Sequence, residues 1–295
     1  MAWKPSRRER ILLYGTFKVG KSTAYLGIME LARLTKTDSH FWIIDNDNAT
    51  DGIGLYPEGS YGHLLGDLVK EDFSQGIQRE YENATIWIPE SFDNYDFINK
   101  TIKEKVRPQD WIIVDMVSNV WEGMPDWWIE NVYGDSWSYY ADVRKAIESD
   151  EDGAGERNFG GQKGVDWQYI GKQYRRWEKQ ITLQTPCHVL LIAGETEIQE
   201  RYDKSGEKRA QYKATSGFSP KSEKNLPHRV HSVIRVTKNV GRDGKVASRQ
   251  MTTVGDRDRM NKWEEFKGNT IPLNEGAKFG MDYLVKISGW KMAGG

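Results

Sequence analysis

Hydrophobic residues along this chain fall into short continuous blocks, separated by polar, glycine-bearing stretches and by segments with helical spacing. Ile11-Leu12-Leu13-Tyr14, His40-Phe41-Trp42-Ile43-Ile44, residues 84–88, Trp111-Ile112-Ile113-Val114 and His188-Val189-Leu190-Leu191-Ile192 are runs of the kind that fill strands buried on both faces. Between them, residues 22–34 carry Ala24, Leu26, Ile28, Leu31 and Ala32 at helical intervals. Residues 95–105 read as a second helix, and residues 165–183 set Trp167, Ile170, Tyr174, Trp177 and Ile181 on one stripe. Strands alternating with helices predict an α/β fold with a mostly parallel central sheet flanked by helices. Near the C-terminus the period changes to two. Residues 230–237 and 247–254 alternate around Gly241-Arg242-Asp243-Gly244, which predicts a C-terminal β-hairpin, and residues 276–287 read as a closing helix.

Two stretches interrupt this pattern. Residues 121–140 concentrate Trp121, Trp127, Trp128, Tyr133, Trp137, Tyr139 and Tyr140, and residues 148–164 are acidic and glycine-rich, so 121–164 reads as an aromatic, acidic insertion ending in a mobile loop. Residues 200–227 form a basic, polar loop. The net charge is −1, but residues 110–156 hold twelve acidic against two basic residues, whereas 201–250 hold thirteen basic against four acidic. The acidity of Glu122, Asp126, Glu130 and Asp135 favours packing or a subunit interface for the aromatic cluster over contact with nucleic acid. In the basic loop, Arg201, Lys204, Lys208, Arg209 and Lys213 are interleaved with Tyr202 and Tyr212, a composition suited to a phosphate backbone or to plain surface charge.

The 295 residues suffice for one large α/β core, and the single Cys187 excludes an intramolecular disulfide and a multi-cysteine zinc site. No run approaches the length of a membrane-spanning helix and the first ten residues contain no signal-peptide core, so the chain reads as cytoplasmic with no membrane partner. His228 and His231 stand at HxxH spacing without further ligands, which favours a structural reading over a metal site.

The chemistry is concentrated in Gly15-Thr16-Phe17-Lys18-Val19-Gly20-Lys21-Ser22, a complete GxxxxGKS P-loop between a strand and a helix. Gly15 and Gly20 permit tight turns that aim successive N–H groups at phosphate oxygens, and the following helix, entered through Thr23, adds its positive dipole end. Lys21 reaches the β- and γ-phosphates in such a loop, and Ser22 ligates Mg²⁺. Trp111-Ile112-Ile113-Val114-Asp115 is a Walker B pattern whose Asp115 carboxylate holds the metal's water shell. The first apolar run after the P-loop helix ends in Asp45-Asn46-Asp47-Asn48, which places acidic residues at a strand's carboxyl end.

Read in order, these motifs resemble the RecA-like ATPase core, in particular small phage-encoded RecA-like ATP-binding proteins of the single-strand annealing type. The resemblance covers most of residues 10–255 and implies one RecA-like domain over residues 1–295. It implies Asp47 at the position of the glutamate that activates water, and Glu195 or Thr196 at the end of a γ-phosphate sensor strand. Residues 202–227 occupy the place of a DNA-binding loop. By this resemblance the catalytic set is Lys21, Asp47, Asp115 and Glu195, the cofactors are ATP and Mg²⁺, and the partner is single-stranded DNA in phage recombination or replication, with homo-oligomers in view. Lys238, Arg242, Arg257 and Arg259 are candidates for a cation reaching a neighbour's nucleotide. A P-loop kinase of small metabolites, and a non-hydrolysing nucleotide-dependent scaffold or packaging partner, stand as alternatives.

Overall fold

The computed structural model describes residues 8–148, 165–198, 217–257, 259–273 and 279–290. Its strands are β1 (Arg10–Gly15), β2 (Phe41–Asp45), β3 (Leu68–Asp72), β4 (Ile77–Tyr81), β5 (Ala84–Ile88), β6 (Trp111–Asp115), β7 (His188–Ala193), β8 (Glu195–Glu197), β9 (Phe218–Pro220), β10 (Ser232–Val240), β11 (Val246–Asp256) and β12 (Thr270–Pro272). The helices are α1 (Thr23–Leu34), α2 (Ala49–Gly52), α3 (Asn94–Lys105), α4 (Val117–Tyr133), α5 (Ser136–Glu148), α6 (Val165–Thr182) and α7 (Met260–Glu264), with a π-helical turn at Gly280–Val285. One sheet of ten strands runs in the order β12-β11-β10-β1-β7-β6-β2-β5-β4-β3. The block from β10 to β5 is parallel throughout, and antiparallel pairs finish both edges. The mixed α/β architecture, the mostly parallel sheet and the C-terminal hairpin therefore agree with the sequence pattern.

The continuous apolar runs are explained by burial on two sides. Ile11, Leu13, Phe41, Ile43, Trp111, Ile113, Leu190 and Ile192 join one core cluster with α1 and the C-terminal turn. Their alternating neighbours Leu12, Tyr14, Trp42, Ile44, Ile112, Val114, Val189 and Leu191 join a second cluster with α3, α4 and α6. A strand with helices on both faces has no polar side, which is why periodicity alone does not separate it from a buried helix segment.

Three expectations change. The connection between the second and third apolar runs contains the β3–β4 hairpin, mainly polar in sequence, with β3 exposed at the sheet edge and β4 partly buried beside β5. The aromatic stretch, for which no element was expected, lies in the helices α4 and α5, and Trp121, Trp127, Trp128 and Trp167 pack against the second cluster while Trp137 is exposed. The closing helix is, among the described residues, a π-helical turn. The acidic, glycine-rich residues 149–164 and the basic residues 199–216, including Arg201, Lys204, Lys208, Arg209 and Lys213, lie outside the described residues. No helix among the described residues is long and apolar enough to cross a membrane.

A buried ionic knot ties the start of β1 to the C-terminal segment. Arg259 donates to both carboxylate oxygens of Glu9 at 2.9 Å, and Ser288 and Trp290 Nε1 each donate to Glu9 Oε1 at 3.0 Å. Burial alone would raise the Glu9 carboxyl, but the Arg259, Trp290 and Ser288 contacts hold it below the ordinary range. Arg259→Ala leaves Glu9 buried and unpaired, and is expected to lower the unfolding free energy by about 3–5 kcal/mol. Replacing both residues by apolar ones of similar size restores most of it. Because the folded-state pKa of Glu9 is depressed, its contribution is complete above the unfolded carboxylate pKa of about 4.3 and is lost as pH falls through the lower folded value. Urea titrations of the wild type, the single and the double variants across that pH range check both statements.

Candidate functional site

β1 runs into the P-loop, and two glycines serve it for different reasons. A Cβ at Gly15 would stand 2.2 Å from the Val236 carbonyl oxygen on β10, so this glycine is required by close strand approach rather than by a turn. Gly20 has φ +94°, where L side chains are strained, and supplies the turn itself. Val19 is fully buried in the first core cluster and anchors the loop. Phe17 is 78% exposed at the rim, with the Lys18 ammonium over its ring. Among the described residues, the N–H groups of Lys18, Gly20, Lys21 and Ser22 donate to no backbone carbonyl, which leaves a row of donors at the start of α1.

Lys21 is buried, and its ammonium donates to the Thr16 carbonyl at 2.7 Å. Burial lowers its pKa, while the charges of Asp115, Glu195 and Asp47 oppose that shift. Asp115 ends β6 with no exposure, and neither of its carboxylate oxygens has a hydrogen-bond partner. Burial, then the charge of Asp47, pushes its carboxyl well above the ordinary range, against the influence of the Ser22 hydroxyl and Lys21. An orphaned carboxylate beside a serine hydroxyl and an ammonium is costly as it stands, and it fits a hard divalent cation arriving with phosphate oxygens. Among the described residues no group of three or more His, Cys, Asp or Glu side chains could hold a metal.

Asp45 and Asp47 have separate duties. Asp45 is fully buried and accepts hydrogen bonds from the N–H groups of Ala49 and Thr50 at 2.9 Å and from the Thr50 hydroxyl at 2.7 Å, so it builds the turn into α2. That turn presents Asp47 to a cavity of about 500 Å³, whose lining includes residues 17–23 of the P-loop and Met116, Tyr61 and Arg249. Partial burial and the neighbouring Asp45 raise the Asp47 pKa. Lys21, Ser22 and Asp47 therefore converge on one space, with Asp115 buried behind it. Gly15 and Thr16 belong to the loop but do not line the cavity.

Glu195 is placed differently. It follows β7, the strand between β1 and β6, but its carboxylate is held by Arg235 at 2.8 and 3.2 Å and does not line the cavity. Of the four cations considered for action on a neighbour, Arg259 is consumed by Glu9 and Arg257 donates to the His228 carbonyl. Arg242 sits exposed in the hairpin turn, and Lys238 donates to the carbonyl of Phe17 in its own P-loop at 3.3 Å. The sequence reading missed Arg249, which lines the cavity; counting back from the Asp-Gly turn would have placed it opposite Lys238.

A larger cavity, of about 880 Å³, lies between α4, α6 and the β8–β9 ribbon and is lined by Trp121, Trp167, Lys221, Lys224, Glu122 and Glu223 among others. It contains no P-loop residue. Neither a protein-family model nor a curated protein sequence matches this chain.

The orphaned state of Asp115 sets a test. Asp115→Asn removes a carboxyl whose ionised form burial disfavours, so it is expected to raise the melting temperature without ligand by about 1–2 °C, the shift that roughly 1 kcal/mol produces in a chain of this size. The same substitution should abolish stabilisation by Mg²⁺ with nucleotide. Melting curves with and without both ligands check the opposite signs.

Proposed function

We propose that this protein is a RecA-like P-loop ATPase that binds Mg·ATP and acts on single-stranded DNA, in phage recombination or replication as the sequence resemblance implies. The observation that carries the nucleotide reading is the meeting of loop N–H donors, Lys21 and Ser22 with the unpartnered Asp115 carboxylate. Magnesium bound with the nucleotide would supply the positive charge that neutralises the phosphates, with Ser22 and Asp115 as the residues that would hold it. Lys21 exchanges the Thr16 carbonyl for phosphate oxygens, Ser22 supplies a hydroxyl to the metal, and Asp115 orders its water shell. Asp47 orients the attacking water. As an aspartate it reaches less far than a glutamate, so slow turnover belongs to this reading.

The DNA reading is supported by the ribbon that frames the basic loop. β8 pairs antiparallel with β9, and the residues between them carry Arg201, Lys204, Lys208, Arg209 and Lys213. Ser118, three positions beyond Asp115, accepts a hydrogen bond from Gly194 N–H at 2.8 Å and donates to the Lys221 carbonyl at 2.6 Å. One hydroxyl thus joins the start of α4 to the chain just before β8 and just after β9. Movement at the metal site would reach the loop through this hydroxyl, which suits nucleotide control of DNA affinity.

Lys21→Ala is expected to weaken Mg·ATP binding at least tenfold and to remove turnover while preserving the circular dichroism spectrum, as calorimetric titration and phosphate release will show. For DNA, neutralising Lys204, Lys208, Arg209 and Lys213 together should weaken binding to single strands irrespective of sequence. It should also flatten the plot of log affinity against log salt by about 0.7 for each phosphate that is no longer neutralised. Equal slopes for the two proteins would reject the DNA assignment of this loop.

A further inference from the structure

Lys238 on β10 and Arg249 on β11 are direct cross-strand partners. Like charges at directly opposed positions repel. Both nevertheless turn toward the P-loop of their own chain: Lys238 Nζ lies 3.3 Å from the Phe17 carbonyl, and Arg249 Nε lies 3.7 Å from the point where a Cβ of Gly20 would stand. Arg249 forms part of the cavity wall, its Nε is shielded from solvent, and that nitrogen has no hydrogen-bond partner. No carboxylate among the described residues pairs with it. Lys21 lies close enough to feel the charge of Lys238, which lowers its pKa. Lys21 and Arg249 line the cavity, Lys238 reaches its rim at the Phe17 carbonyl, and Arg249 keeps a shielded, unused donor.

We propose that Lys238 and Arg249 form a clamp in cis for the polyphosphate of a nucleoside di- or triphosphate, with the phosphate oxygens as the missing acceptors. The clamp rests on the nucleotide reading above and adds to it the source of the extra positive charge. A guanidinium is the fitting group because its fixed fork binds two phosphate oxygens at once, whereas the ammonium of Lys238 acts as a point charge. The hairpin thereby supplies within one chain the charge that a neighbouring subunit would otherwise bring, and Lys238 is assigned to its own nucleotide rather than a neighbour's.

The test is a set of titrations with ATP, ADP and adenosine on the wild type, Lys21→Ala, Lys238→Ala, Arg249→Ala and Arg249→Lys, each checked for folding by circular dichroism. Arg249→Ala is expected to weaken ATP binding roughly tenfold to a hundredfold, the worth of a charge-assisted hydrogen bond to phosphate, and to leave adenosine binding unchanged. Arg249→Lys should recover part of that affinity, and Lys238→Ala should weaken binding about tenfold by the same reasoning. Mixing Arg249→Ala with Lys21→Ala separates cis from trans. A clamp in cis yields turnover no greater than the two variants show apart, whereas restored turnover would mean that one subunit serves another's nucleotide and would overturn the proposal. Equal weakening toward adenosine and ATP would assign Arg249 to the base and overturn it too. Unchanged ATP affinity in folded Arg249→Ala, with Lys21→Ala impaired, would overturn the clamp and spare the nucleotide site; a wild type that binds no nucleotide would sink both.

Discussion

Two carboxylates stand side by side, fully buried, at the carboxyl ends of adjacent parallel strands: Asp45 on β2 is paired in register with Asp115 on β6. Burying even one charge demands compensation, and the chain compensates only the first. Asp45 is surrounded by donors from the turn it nucleates, so its cost is offset by local structure. Asp115 has none. The same strand-end geometry that gives α2 its entry and Asp47 its position leaves Asp115 in want of a cation. A sheet whose inner strands are apolar on both faces can place polar chemistry only at its ends, and here the ends of β1, β2 and β6 meet.

The conformation of the P-loop is fixed by contacts within the chain. Val19 fixes it to the core, Gly15 lets β1 lie against the Val236 carbonyl, and Lys21 is parked on the Thr16 carbonyl. Little backbone need move for phosphate oxygens to replace that carbonyl, so binding energy is not spent on ordering the loop. Burial weakens the hold of Lys21 on its proton, but Asp115, Glu195 and Asp47 supply compensating negative charge. Glu195 exerts that influence while paired with Arg235, whose guanidinium also stacks on the Phe218 ring, so its part in the site is electrostatic and structural.

The inner strands were legible because parallel strands covered on both faces need uninterrupted apolar runs, and the P-loop was legible because its spacing is dictated by backbone geometry. The β3–β4 hairpin was not. It is an exposed edge whose charges, among them the Lys70–Asp72 and Arg79–Glu71 pairs, hide the strand signal and at the same time deter edge pairing. The helix over Trp121 to Trp128 was not legible because aromatic residues have little helix preference of their own. Their helix forms by packing Trp121 edge-on against Tyr174 and Trp128 flat against Tyr169, partners that lie more than forty positions away in sequence. The reason for Gly15 was misread for a similar cause: a close approach to a strand more than two hundred residues away leaves no local trace.

The uneven charge of the chain acquires a spatial sense in this fold. Asp115 belongs to the acidic stretch 110–156, and Lys238 and Arg249 to the basic stretch 201–250. β6 lies on one side of β7, and β1 with the β10–β11 hairpin lies on the other. Carboxylates therefore approach the P-loop from the β6 and β2 side and cations from the hairpin side, with Lys21 between them. Opposite charges on facing walls of one cavity would ordinarily close into ion pairs and shut it. Among the described residues neither Arg249 Nε nor the Asp115 carboxylate has a hydrogen-bond partner, and the strand β7 lies between the two sides. A ligand carrying both signs, an anionic polyphosphate with its divalent cation, satisfies the two walls together where a lone anion or a lone metal would satisfy one.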